Sequence, residues 1–317
     1  MNCKSIIIGS VLGFQCLVNG GDLYVAGYGY SSGLIIWFDT AEQFPFPHLF
    51  DGGLASAKGL AFDGAGNLYV GDYDASTIYR YSPNGDRTTF ATVGLHQPTG
   101  LAIDGDGNVY AANLWGNNVT KYTPDGSESV FVNVAQPTGL TFDSTGNLYV
   151  CTGNSTIMRY DPLGHGELFA TYSDGLGDPI SMQFDPAGNL FVANYGASDI
   201  VKRDTSGNWS VFATTPNNAF GLALDTDGSL FVSCNGGFIQ KYDALGNGTY
   251  FTRSMSGPWM MAFKPVPEPA IHTLAGLGAL SLLAFYRNSR DRPRSRRGTR
   301  SDTGGSGYAS IYHAQRS

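Results

Sequence analysis

Cysteine is scarce in this chain: four in 317 residues, at positions 3, 16, 151 and 234. A disulfide framework is therefore excluded as the source of its stability, and no Cys-x-x-Cys pair offers a redox or zinc knuckle. Histidine is equally thin between residues 21 and 265, with only His48, His96 and His165. His48 falls in an outer strand and His165 in an outer turn, which argues against a three-histidine zinc site. No phosphate-binding loop occurs in that stretch. The 43 glycines show no Gly-X-Y period, so they mark turns and not a collagen helix. Basic residues are few as well: residues 21–265 hold 23 Asp plus Glu against 10 Lys plus Arg, a net −13. A body this acidic repels phosphate backbones, which excludes nucleic acid as a partner.

What is present is repetition. The phrase GLAFDGAGNLYV at 59–70 returns as GLAIDGDGNVYA at 100–111, GLTFDSTGNLYV at 139–150, ISMQFDPAGNLFV at 180–192 and GLALDTDGSLFV at 221–232. Its aspartates, at 63, 104, 143, 185 and 225, are spaced by 41, 39, 42 and 40 residues. A period near 40 indicates a propeller or a solenoid. Each unit reads as two short β-rich runs joined by a Gly-containing turn, then two more, as in STIYRY and TTFATV; no unit has a helical period. Four strands in about 40 residues make one propeller blade. The fold class expected is all-β, a six-bladed β-propeller with four antiparallel strands per blade.

The sixth blade is assembled from the ends of the domain. GPWMMAFKP at 257–265 is a first strand with no blade after it, and residues 21–50 begin at a second strand with none before it. Pairing of Met260–Phe263 with Leu23–Ala26 would close the ring and remove a free edge. Aligned second strands place Ala26, Gly71, Ala112, Cys151, Ala193 and Ser233 in one register, all small, as crowding near an axis demands. Leu60, Phe62, Tyr69, Ile78, Phe90 and their equivalents are expected to form the core between blades. Cys151 and Cys234, two repeats apart, are expected as buried free thiols.

These units resemble the NHL-repeat family and its six-bladed relatives, the gluconolactonase and streptogramin-lyase groups, through D-x-x-G-N-L-Y-V and I-x-(K/R)-Y. The resemblance spans about residues 21–265 and bears on fold far more than on function. It implies a site at one mouth of the central channel, where gluconolactonase-type enzymes hold a divalent ion with carboxylates and asparagines. Asp72, Asn113 and Asn194 occupy that register here, and His96 and Asp178 lie on loops reaching the same mouth. These five are the candidate ligand site, although one carboxylate in the ring departs from the family pattern. No catalytic residue is assigned and no cofactor is required; calcium at the mouth is the one cation the oxygen donors suggest. The competing reading is that these side chains bond their own turns, as Asn and Asp commonly do. An enzyme should gather the five within a few ångströms, whereas a scaffold should show a plugged mouth or one lined by unpaired amides.

Two further readings concern charge. DGDGN at 104–108 is a hairpin turn and not a calcium loop, since the same slot reads DGAGN, DSTGN, DPAGN and DTDGS elsewhere. Five bases, Arg80, Lys121, Arg159, Lys202 and Lys241, recur where blade six has Trp37. Because blade six also has Lys264 in place of the phrase's Asp, at least three of the five bases are expected to pair with that Asp.

The ends suggest a destination. Residues 1–20, MNCKSIIIGSVLGFQCLVNG, resemble a secretory signal peptide, and Cys16 lacks the small flanking residues of a lipoprotein site. Residues 266–297 run from Val266, Pro267, Glu268 and Pro269 through an apolar stretch, 270–286, to an Arg-rich end. That order resembles the PEP-CTERM sorting signal of Gram-negative bacteria, which implies an exosortase-type enzyme as partner, a membrane-spanning helix and an inner-membrane intermediate on the way to the surface or matrix. Residues 298–317 are expected to be a disordered tail. The functional expectation is an exported propeller that binds a partner, protein, glycan or small molecule, through one rim without catalysis. The alternative is an exported lactonase-like hydrolase or lyase, and a third is a purely structural matrix component.

Overall fold

The repeated phrase folds into hairpins because its aspartate and asparagine tie the turn from both sides. In a computed structural model, which describes residues 21–28, 33–41, 47–252 and 257–265, Asp63 accepts hydrogen bonds at Oδ1 from the backbone N–H of Ala65 (3.0 Å) and Asn67 (2.8 Å). Its Oδ2 accepts from Asn67 Nδ2 at 2.7 Å. Gly66 then takes φ +81°, a conformation that favours glycine. The same Asp-to-Asn lock recurs at Asp104 and Asn108, Asp143 and Asn147, and Asp185 and Asn189. It also closes the outer turns, at Asp204 with Asn208 and Asp243 with Asn247.

Each repeat is a four-stranded antiparallel sheet, and the described residues form six. Blade 1 runs Ala57–Phe62, Leu68–Asp72, Thr77–Tyr81 and Arg87–Ala91. The first strands of blades 2 to 5 are Pro98–Ile103, Pro137–Phe142, Pro179–Phe184 and Ala219–Leu224. Blade 6 is closed as expected: Pro258–Phe263 lies against Asp22–Tyr28, followed by Gly33–Asp39 and His48–Leu54. In this seam Leu23 pairs with Phe263, Tyr24 with Ala262 and Val25 with Met261. The two ends of the domain therefore share one ladder, and no strand edge of blade 6 is left for another chain on that side.

The core sits between blades. In three of the phrases the aromatic stands edge-on to a ring on the first strand of the next blade, with Tyr110 and Phe142 5.0 Å apart, Tyr149 and Phe184 5.0 Å, and Phe231 and Phe263 5.2 Å. Such T-shaped pairs add about 0.5–1.5 kcal/mol each beyond the area they bury. Leu60, Tyr69 and Ile78 are buried, while Phe62 and Phe90 are half-buried and pack against the same clusters. The small register is buried throughout, and Cys151 and Cys234 are buried free thiols.

Near the axis the first strands touch backbone to backbone. A Cβ at Gly139 would lie 2.2 Å from the Ile180 carbonyl oxygen, one at Gly100 2.3 Å from that of Thr138, and one at Gly221 2.3 Å from that of Trp259. The third residue of the first strand is glycine in four blades, Gly59, Gly100, Gly139 and Gly221, and at the last three the neighbouring blade's carbonyl occupies the space of a side chain; blades 4 and 6 have Ser181 and Met260 there. Below that ring the channel narrows to a cavity of about 70 Å³ lined by Leu60, Leu101, Leu140, Met182, Leu222 and Met261. A second, wider cavity of about 360 Å³ is lined by the ends of the first strands, among them Phe62, Ile103, Phe142, Gln183, Leu224 and Phe263.

The expected pairing of the phrase aspartates with the ring of bases is corrected. Of the five, Lys121 alone meets its phrase aspartate, at 3.8 Å from Asp104. Arg159 bridges to Glu167 and Lys241 to Asp227, while Lys202 sits 5.0 Å above the Phe191 ring. The reason is competition: the carboxylates are already saturated by turn N–H groups and the Asn amide. The apolar run at 270–286, the sorting motif and the first twenty residues lie outside the described residues.

Candidate functional site

The polar register that ends each second strand is buried and fully engaged. Asp72 is 1% exposed. Its Oδ2 accepts from the N–H of Ala55 and its Oδ1 from that of Ser56, both at 2.8 Å, with Ala75 N–H at 3.3 Å. Asn113, with no exposed surface, accepts the N–H of His96 at 3.1 Å. Its amide donates to the Gly94 carbonyl, Asn118 Oδ1 and Thr120 Oγ1 at 2.9–3.0 Å. Asn194 repeats the arrangement two blades on, accepting from Gly177 N–H at 3.1 Å and donating to the Gly175 carbonyl and Asp199 Oδ1. All three have one task, to tie the loop that enters their own blade down onto the second strand.

The other two candidates are engaged differently. Asp178 takes φ +49°, gives its N–H to Ser155 Oγ and accepts from the same hydroxyl at 3.2 Å. It thereby fastens blade 4 to blade 3. His96 is exposed and contributes its backbone N–H to Asn113. His48 and His165 lie far from the axis as expected, His48 stacked on Trp37 at 4.5 Å and His165 paired with Asp161 at 2.9 Å. The amides at this mouth are paired, not the unpaired amides expected of a scaffold, and the channel holds a cavity of only about 70 Å³.

These donors do not fit a divalent cation. Both carboxylate oxygens of Asp72 face N–H groups, as does the carbonyl oxygen of each asparagine, so no lone pair is directed at a common point. Among the described residues no three His, Cys, Asp or Glu side chains are grouped to hold a metal. Adding calcium in millimolar excess should therefore move the melting temperature of the protein by less than about 1 °C, since only an ion that binds the folded state raises it. A rise of several degrees in a thermal scan would show that a site exists.

The same face carries a different constellation. Tyr195 and Phe220 stand 5.1 Å apart, Phe220 and Trp259 4.5 Å apart, both tilted. Lys58 follows, its Nζ 4.4 Å from the centre of the Trp259 ring and 3.4 Å from that of Tyr73. The Tyr73 hydroxyl accepts from Trp115 Nε1 at 3.0 Å, and Trp115 is 68% exposed. Aromatic side chains from blades 4, 5, 6, 1 and 2 thus form a crescent around the mouth with one lysine at its centre. Burial pulls the Lys58 amine down to about 8, against the field of Asp74, which favours the cation. The two ring faces also favour the cation, but they replace water around the ammonium and do not repay its lost hydration.

Lys58 and Trp259 were legible as loop and strand-entry residues facing the mouth; Tyr73, Trp115, Tyr195 and Phe220 were not. The available signal was an aromatic one or two positions after the polar register, in DY at 72–73, NLW at 113–115 and NY at 194–195.

No protein-family model matches the chain, and no curated protein matches it. Solved structures do. A chain of a nidogen–laminin complex superposes with a TM-score of 0.68 at 19% identity, covering 79% of this chain and all of that one. A streptogramin B lyase gives 0.58 at 15% identity, covering 78% and 89%. A putative gluconolactonase gives 0.55 at 16% identity, covering 65% and 81%. At such identities the likeness is one of fold, and it agrees on the propeller.

Proposed function

We propose that this six-bladed propeller is an exported binding module, sorted through its C-terminal signal, that holds a partner at the surface or in the extracellular matrix through the aromatic crescent. One observation carries the reading: at the mouth the polar residues are consumed by loop anchoring, while aromatic faces, Trp115 foremost, are left to solvent. Exposed Trp and Tyr at the rim of a rigid scaffold supply large contact area at little cost in conformational entropy. The nidogen–laminin likeness fits a binding role, and the signal-like 1–20 segment and Val266–Pro269 with the apolar 270–286 run favour export and an exosortase-type partner. A lactonase-like or lyase reading would need an acid–base set, and the carboxylate and amides offered for one are engaged elsewhere.

Fractionating an exosortase-bearing Gram-negative host that expresses the chain tests both halves. Replacing Pro267, Glu268 and Pro269 by alanine should leave the unprocessed chain in the inner membrane. Trp115→Ala should be processed normally yet pass into the medium, with at least about tenfold less retained in the matrix, as expected for loss of a hot-spot aromatic. Equal matrix retention of wild type and Trp115→Ala would defeat the rim as binding face.

A further inference from the structure

Six lysines occur in the chain, and their surroundings differ. Among those described, Lys121 and Lys241 lie beside carboxylates, and Lys202 sits on the Phe191 ring with its base in the outward ring. Lys58 has no carboxylate within salt-bridge distance among the described residues and stands between two aromatic faces at the mouth of the channel. Asp74, on the exposed turn after Asp72, acts on it only through its field.

We propose that Lys58 is a carbonyl-capturing amine, condensing with an aldehyde or ketone group of a ligand laid across Tyr73 and Trp259. The inference deepens the rim reading by giving the ligand a chemical class: a molecule with a free carbonyl, the open-chain form of a reducing sugar included. The neutral Nζ lone pair forms a bond to the carbonyl carbon, and the C=O π pair moves to oxygen, which takes a proton. Nitrogen loses a proton to water, the hydroxyl leaves as water, and a C=N bond remains. No oxidant or cofactor is required. The walls do two things here: by burial they keep water from the ammonium, which lowers the cost of the uncharged amine despite the ring faces' preference for the cation, and they offer a face on which an apolar or planar ligand stacks.

The neutral fraction explains why this lysine stands out. With its pKa near 8, about a quarter of the amine is uncharged at pH 7.5, against roughly 0.1% for an ordinary lysine. Reduced basicity lowers intrinsic nucleophilicity by about tenfold if amines follow the usual Brønsted slope. A net advantage of at least about tenfold remains.

Benzaldehyde and cyanoborohydride applied to the full chain, followed by peptide mass mapping, read this directly. Benzyl adducts should form on Lys58 about tenfold faster than on Lys264 or Lys202 at pH 7.5. The rate should rise with pH through a midpoint near 8 and level off above it, because the folded amine deprotonates there. Tyr73→Leu, on an exposed turn away from the closing strand, should bring Lys58 toward the rate of the other lysines. Lys58→Arg should abolish the adduct at that position, and Trp115→Ala should lose matrix retention while keeping the Lys58 adduct, so failure of covalent capture and failure of the rim reading give different results. Even labelling of all lysines in the wild type, or a Lys58 excess that survives Tyr73→Leu, overturns the proposal.

Discussion

Gly139→Ala should destabilise the protein by about 3 kcal/mol, a loss read as a lower denaturant midpoint in the tryptophan fluorescence of the full chain. One methyl group has this effect because the added carbon would lie 2.2 Å from the Ile180 carbonyl oxygen and 3.0 Å from its carbon. That obstacle is backbone, not the movable end of a side chain. Relief would require blade 4 to retreat from blade 3, and the ring is closed, so movement at one junction compresses the others. Gly100→Ala and Gly221→Ala, each facing a carbonyl oxygen at 2.3 Å, should behave alike. Gly105→Ala, with nothing within 4 Å of the new carbon, is the control and should stay within about 0.5 kcal/mol of wild type. Equal stability of Gly139→Ala and Gly105→Ala would mean that the first strands do not meet at the axis.

Asn113→Ala should cost about 2–4 kcal/mol, and Asn194→Ala about as much, measured by the same unfolding titration. Removing the Asn113 amide strands the partly buried N–H of His96 and takes a donor from the Gly94 carbonyl, Asn118 and Thr120 at once. Unmet polar groups, more than the lost contacts themselves, set the size of the effect. The outcome discriminates between the two roles weighed for this register. Residues that bind a ligand are commonly replaceable without loss of stability, whereas residues that tie down a loop are not. A stable Asn113→Ala protein with impaired partner retention would restore the channel-mouth site.

The architecture was written plainly in the chain because a propeller repeats its instructions. Four copies of D-x-x-G-N and a fifth reading DTDGS marked the hairpins, their spacing marked the blade, and the two incomplete ends marked the seam between Leu23 and Phe263. The site was legible in part. Position in the repeat told correctly that Asp72, Asn113 and Asn194 are equivalent, but not which way their side chains turn. That is decided by loops of unequal length whose N–H groups need partners, and a period in the sequence carries no record of them. The base ring failed for a related reason: Asp63, Asp143 and Asp185 each had a nearer suitor in the asparagine four residues on. The crescent was overlooked because its members, Tyr73, Trp115, Tyr195, Phe220 and Trp259, fall at unequal offsets in their repeats and become neighbours only across blades.

The seam has a mechanical side. The strand that completes blade 6, Pro258–Phe263, is also the last one before the C-terminal segment, and the Lys264 N–H to Asp22 carbonyl bond at 3.0 Å lies just beyond it. If that segment tethers the domain to a membrane, every tug on the tether is borne first by the clasp. Load would enter the domain through the strand whose rungs join it to Leu23, Tyr24 and Val25.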